Sequence, residues 1–179
     1  MNSTNPPDDP SGNRGRGGAI RPLTAADLPA LKAVIDATGL FPSDMLDDMT
    51  AAHLRGDDNG ETWLTMDDGA PMALAYCAPE RMTAGTWNLL LIAVHPDRQE
   101  QGHGAALLRH VETELSARGE RLLLVETSGL PEFERTREFY RKNGYEEEAR
   151  IREFYAAGED KIVFRKRVGA RPDSAGSGG

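Results

Sequence analysis

A nine-residue stretch, TWNLLLIAV (86–94), runs into the polar loop HPDRQEQ (95–101), then into Gly102 and Gly104, and then into AALLRHVETEL (105–115). No other part of the chain restricts the fold as much. A continuous apolar run bounded by a turn reads as a strand buried on both faces. Leu107, Val111 and Leu115 follow one helical turn apart, with Leu108 beside them, so the next segment is a helix that lies on a sheet through that face. It runs to about Arg118, with Gly119 just past its end. His110 and Glu114 then face outward, and Glu114 pairs with Arg118 at i,i+4. Glycine is a poor helix former, so two glycines at the mouth of this helix imply that something must come close to the backbone there. The first amides of a helix have no intrahelical acceptor and carry partial positive charge. Freed of side chains, they suit a phosphate.

The remaining segments place this unit in a sheet. AIRPL (19–23) reads as a short strand. Thr24 and Asp27 form a box-like helix start before the stripe Leu28, Leu31, Ile35, which Gly39 ends. Ser43 is placed to cap a second helix bearing Leu46, Met49 and Leu54, closed by Gly56. TWLTM (62–66), DDG and PMALAYCA (71–78) read as a hairpin. RLLLVETS (121–128) is another buried strand, and PEFERTREFYRK (131–142) a helix stopped by Asn143-Gly144. IREFY (151–155), the turn AAGED and KIVFRKRV (161–168) form a terminal hairpin. The central strand–helix–strand–helix order implies a right-handed crossover between parallel neighbours, and the hairpins add antiparallel strands. The expected fold class is α/β, with one mixed sheet and helices on both faces.

Residues 1–18 and 169–179 lack apolar periodicity and read as disordered tails around one domain at 19–168. The GNRGRGG stretch carries only Arg14 and Arg16, and is read as plain tail rather than an RNA-binding segment. Acidic residues outnumber basic ones, 29 to 21, for a formal charge of −8. That argues against a nucleic-acid partner and is compatible with a cationic substrate. Cys77 is alone, so no intramolecular disulfide can form, which suits a reducing compartment. Its place in MALAYCA marks a buried structural thiol, with a nucleophile as the lesser reading. No charged segment followed by an apolar one opens the sequence, and no apolar run spans a bilayer. A cytoplasmic protein with no membrane partner is expected. His53, His95, His103 and His110 show no ligand spacing, so no metal is expected. His103, between the glycines, is expected to display its ring near the phosphates. Glu146-Glu147-Glu148 reads as a solvated turn.

A phosphate-binding loop of the nucleotide-hydrolysing kind needs Lys and Ser or Thr after its second glycine; here Ala105 and Ala106 stand there. A dinucleotide fold wants a third glycine where Leu107 stands. The informative unit is longer: apolar strand, Val-His-Pro, polar loop, Gln-x-x-Gly-x-Gly, amphipathic helix. IAVHPDRQEQGHGAALL is similar to the acetyl-CoA-binding motif of the GCN5-related N-acetyltransferases (GNAT), with Gln99, Gly102 and Gly104 on the signature positions. REFYRKNGY (137–145) resembles that family's segment in which a tyrosine precedes a Gly-aromatic pair. The resemblance covers about residues 19–168.

The resemblance implies the acyl-CoA N-acyltransferase fold: a mostly antiparallel sheet whose one parallel strand pair splays apart. It implies acetyl-CoA as co-substrate, and an acceptor amine, on a small molecule or a protein, that attacks the thioester directly in a ternary complex. The pyrophosphate would sit on the amides of residues 99–105, namely Gln99, Glu100, Gln101, Gly102, His103, Gly104 and Ala105. Pantetheine would run along strand 87–94, bonding free backbone groups at Ile92 and Val94. Arg98 either adds charge beside the phosphates or is an exposed loop arginine. Tyr140 occupies the position of the family's proton-donating tyrosine; its other reading is a core residue. Some members carry a glutamate base six residues before the strand-ending valine, but here that residue is Asn88. Glu126, inside a buried strand where desolvation favours the protonated form, is the alternative base, beside a relay through water. Many members have an asparagine seven residues before the tyrosine; Phe133 takes that place, with Ser128 or Thr127 as substitutes. Phe154 and Tyr155 are either acceptor-pocket wall or core. A homodimer is a family-level expectation. The competing reading is a non-catalytic acyl-CoA-binding module.

Overall fold

The computed structural model describes residues 18–57 and 59–169. The segments read as tails lie outside these residues, apart from Gly18 and Gly169. Among these described residues, seven strands form one sheet in the order β1-β2-β3-β4-β5-β7-β6. They are β1 (Ala19–Pro22), β2 (Thr62–Asp67), β3 (Pro71–Pro79), β4 (Thr86–Val94), β5 (Leu122–Ser128), β6 (Glu146–Ala156) and β7 (Glu159–Arg167). All neighbours are antiparallel except β4 and β5, which are parallel. The helices are α1 (Leu28–Thr38), α2 (Met45–Arg55), α3 (His103–Ala117) and α4 (Glu134–Lys142). Mixed α/β order, a parallel splayed pair and helices on both faces match the expected fold class.

Alternation along the strands sorts the core into two layers. On one face Leu64, Ala75, Leu89, Leu123, Val125 and Phe164 pack with Leu107, Leu108, Val111 and Leu115 of α3 and Tyr140 of α4. On the other, Trp63, Leu74 and Leu91 pack with Leu31, Val34 and Ile35 of α1 and Leu46 of α2. This second layer draws on β2, β3 and β4 and on no residue of β5, β6 or β7.

Two local departures bear on the site. The first is in β4. Tyr76 pairs with Leu91 but Cys77 pairs with Leu89, so Leu90 is an extra, bulged residue. A bulge shifts the two-residue phase by one. Trp87 and Leu89 before it, and Ile92 and Val94 after it, therefore share the α3 face. The second is in β6. The strand begins at Glu146, so the triple glutamate is extended edge strand and not a turn. An edge strand needs only one laddered side, and this one is exposed along its whole length. Arg165 pairs with both Glu146 and Glu148, and Arg141 with Glu147, which offsets the like charges.

Ahead of α1, Thr24 and Asp27 close the expected capping box. Asp27 also receives both Arg21 Nη atoms at 2.7 Å, along with the Thr24 amide at 2.8 Å and its hydroxyl at 2.9 Å. The Arg21 hydrogen bonds, aided by those from Thr24 and opposed by burial, hold the Asp27 carboxyl down at about 2. A depressed folded-state pKa stabilises the fold above the ordinary aspartate value of about 4, and that stability is lost as pH falls through the folded value. Asp27→Asn is therefore expected to lower the urea midpoint at pH 6 by the equivalent of about 2 kcal/mol. The gap between wild type and variant should shrink between pH 4 and pH 2.

Candidate active site

β4 and β5 ladder from Thr86–Leu122 to Leu89–Val125 and no further, although β4 continues to Val94 and β5 to Ser128. A gap in the ladder opens there. The amide of His95 donates to Met72 O at 2.9 Å, on the β3 side. By alternation the amides of Ile92 and Val94 point the other way, into the gap. The Val94 carbonyl, also on that side, accepts from Gln99 Nε2 at 3.0 Å. Ile92 is thus left with both backbone groups facing the gap, and Val94 with its N–H.

The loop from β4 to α3 lies at the mouth of this gap. The amides of Arg98 and Gln99 are used inside a short 3-10 turn, bonding His95 O at 2.8 Å and Pro96 O at 3.2 Å. The next internal amide donor is Ala106, to Gly102 O at 2.9 Å. Between them, among the described residues, no amide from Glu100 to Ala105 donates within the protein. The expected seat at 99–105 thus narrows to 100–105, because Gln99 spends its amide on the turn. Glu100 and Gly102 both take left-handed φ, 62° and 85°. Such residues two apart turn successive amides to one side, which makes a concavity for an anion. A Cβ added at Gly102 meets nothing within 4 Å, and one at Gly104 meets the Phe139 ring at 3.5 Å and Val94 Cγ2 at 3.7 Å. The seat is open, and its donor set fits a diphosphate.

Gly102 is the residue whose absence of Cβ sets the turn. In Gly102→Ala the left-handed conformation costs about 1–2 kcal/mol. We expect the dissociation constant for acetyl-CoA, read by calorimetry, to rise about tenfold as the amides re-aim.

The side chains of the loop are distributed differently from expectation. Arg98 lies 3.6 Å from Asp68. Gln101 Nε2 bonds Asp97 O at 3.1 Å. Glu100 pairs with Arg135 of α4. His103 does not display its ring: it is 8% exposed. It stands four residues before Leu107 and eight before Val111, on the buried stripe of α3.

Tyr140 is 4% exposed and packs edge-on to Phe139 and Tyr145, at 5.3 and 5.7 Å between centroids. It is a core residue, yet among the described residues its hydroxyl hydrogen-bonds to no protein atom. Burial holds its phenol well above the ordinary value, so it stays protonated. The helix starts late: Pro131–Phe133 is a 3-10 turn, and α4 begins at Glu134. Arg137, 5% exposed, bonds Ser128 O at 2.6 Å and Leu130 O at 2.9 Å and so ties the end of β5 to α4. Ser128 and Thr127 are buried, and Ser128 Oγ accepts from the Leu130 amide at 3.1 Å.

On the opposite face, Glu126 follows Val125, the last β5 residue laddered to β4. It contacts Lys161 at 2.7 Å, and Lys161 Nζ lies 3.6 Å from the Phe154 ring centroid. Phe154 and Tyr155 are half exposed on the edge strand, so neither is core. Asn88 is 5% exposed; its Nδ2 donates to Glu80 Oε1 at 2.9 Å and its Oδ1 has no partner. Cys77 is buried, and desolvation pushes its thiol up to about 12, which makes it inert. Among the described residues, no cluster of three His, Cys, Asp or Glu side chains is arranged to hold a metal ion, and no helix is long and apolar enough to cross a membrane.

Residues 58–147 match the model of the acetyltransferase (GNAT) domain. An acetyltransferase structure of the GNAT family from Desulfovibrio desulfuricans is 35% identical, covers 84% of this chain and 98% of its own, and superposes with a TM-score of 0.78. The chain belongs to the GNAT family. Two more distant GNAT folds agree. A ribosomal-protein alanine N-acetyltransferase from Escherichia coli is 24% identical with a TM-score of 0.70, over 89% of this chain and 99% of that one. An acetyltransferase from Salmonella typhimurium, solved with acetyl-CoA, is 16% identical with a TM-score of 0.67, over 89% and 98%. No curated protein matches. As a GNAT protein the chain is an N-acetyltransferase enzyme, with the gap and the amide seat where the fold separates its parallel strands.

Proposed function

We propose that this enzyme transfers the acetyl group of acetyl-CoA to the primary amine of a small-molecule or protein acceptor, by direct attack with both substrates bound. The run of unpartnered amides from Glu100 to Ala105 at the mouth of the β4–β5 gap carries the reading. Those amides hold the pyrophosphate, Arg98 stands beside them in the same loop, and the Ile92 and Val94 backbone groups hold the acyl arm along β4. The thioester supplies an activated acetyl carbon next to Leu89, where the strands part.

An acceptor reaches that point from the face carrying Glu126, which α1 and α2 leave uncovered beside β5 and β7. A backbone N–H in the gap steadies the developing oxyanion. Tyr140 gives its proton to the departing sulfur, whose own pKa is near that of a cysteine thiol, about 8.5. Glu126, paired with Lys161, lines the face by which the acceptor amine arrives. The lone buried Cys77 fits a reducing compartment, so the cytoplasm is the proposed location. A thiol-release assay of the purified chain with acetyl-CoA against a panel of amines tests the reading. Turnover with at least one primary amine supports it. Tight acetyl-CoA binding with no turnover on any amine supports the binding-module alternative.

A further inference from the structure

The position where some GNAT members carry a glutamate holds Asn88, which cannot take a proton. The hairpin brings a carboxylate to it from the neighbouring strand. Ala78 pairs with Asn88, and the Glu80 amide donates to Thr86 O at 2.8 Å. Residues 78 and 80 therefore lie on one face of the hairpin with 86 and 88, opposite the face of Trp87 and Leu89. That is the acceptor face, which also carries Glu126 two residues beyond Leu124, the β5 partner of Asn88.

The link is direct. Asn88 Nδ2 donates to Glu80 Oε1 at 2.9 Å. A carboxylate accepts and does not donate, so this bond fixes which way the Asn88 amide points. Oδ1 is thereby left buried with no partner. An orphaned buried acceptor is unfavourable by about 1–3 kcal/mol, and it calls for a donor such as an ammonium or a water bound to one. Asn88 is adjacent to Leu89, the last β4 residue laddered to β5, so this acceptor lies at the foot of the gap. Among the described residues Glu80 forms no ion pair, whereas Glu126 has its charge matched by Lys161 at 2.7 Å. Between Glu80 and Glu126, the two carboxylates nearest Asn88 along the paired strands, Glu80 is the one without a matching cation.

Building on the acetyltransferase reading, we propose that Glu80 is the general base for the acceptor amine and that Asn88 is the residue positioning it. One ammonium proton passes to the Glu80 carboxylate, directly or through one water. The freed nitrogen lone pair forms the C–N bond to the acetyl carbon and the C–S bond breaks. Sulfur takes the Tyr140 proton, and Tyr140 regains one from the second N–H lost by nitrogen. The products are amide, thiol and one proton, which Glu80 sheds to solvent.

The test uses the full chain, acetyl-CoA and the best amine from the thiol-release panel. Glu80→Gln is expected to lower kcat about a hundredfold while leaving KM for acetyl-CoA and the melting temperature close to wild type. Asn88→Ala should lower kcat about tenfold with the same unchanged KM, as expected for a carboxylate that has lost its tether. Adding Asn88→Glu to Glu80→Gln should restore at least about tenfold of the lost rate, because a carboxylate returns to the foot of the gap. An active parent whose Glu80→Gln variant stays within threefold in kcat, or whose rate is abolished by Glu126→Gln alone, overturns the proposal while sparing the acetyltransferase reading. A parent that turns over no amine overturns both.

Discussion

Tyr140→Phe is expected to lower kcat by about a hundredfold or more, with the acetyl-CoA dissociation constant changed by less than about twofold. The expectation follows from what the hydroxyl does not do. It bonds to no described protein atom, so its removal leaves no orphaned partner and should hardly move the melting temperature. The ring remains to pack against Phe139, Tyr145 and Phe164. Burial keeps the phenol protonated, which is the state a proton donor needs. A purely structural Tyr140 predicts the reverse, with little change in rate. Stopped-flow thiol release and a thermal melt on the same samples separate the two.

Arg137→Ala is expected to have the largest effect on stability, about 2–4 kcal/mol, the consequence of leaving two carbonyls of a buried turn without a donor. For a chain of this length that corresponds to roughly 10 °C in melting temperature. The guanidinium holds two carbonyls, Ser128 O and Leu130 O, and Glu134 Oε2 at 2.6 Å. Arg137, then Arg141, draws the Glu134 carboxyl below its ordinary value. Without Arg137 both carbonyls lose a donor, in a loop that sets where α4 and its Tyr140 stand relative to the gap. Arg137→Lys keeps the charge but not the planar fork, and should recover only part of the loss. Urea midpoints report the stability; kcat should fall in parallel, because the loop sets the tyrosine's place.

The expected segments of the sheet and helices correspond to the observed ones because their signals are local. Apolar runs gave β4 and β5, one-turn stripes gave α1 and α3, and Gly39 and Gly56 ended their helices with left-handed φ of 65° and 76°. The unpartnered amides ahead of α3 were legible for the same reason, since bare helix-start amides need only local glycines. What eluded sequence reasoning was non-local or charge-bearing. The triple glutamate lacks the apolar alternation that marks a strand, yet an edge strand ion-paired to Arg165 and Arg141 needs none. Glu80 meets Asn88 only across the β3–β4 hairpin, and counting along β4 cannot reveal it. Arg137 looks like any exposed helix arginine until the β5–α4 loop folds over it. His103 shows the opposite failing: its four-residue spacing from Leu107 was visible, but the flanking glycines suggested display.

Leu90 is a single surplus residue, and it stands where the parallel strands part. The last rung that β4 shares with β5, at Leu89 and Val125, comes immediately before it. Beyond it β4 goes on pairing with β3 as far as Val94 and Ala73, while its other flank has no neighbour. The extra residue also turns Ile92 and Val94 back onto the side of Trp87 and Leu89, so one surface of the sheet is apolar on either side of the split.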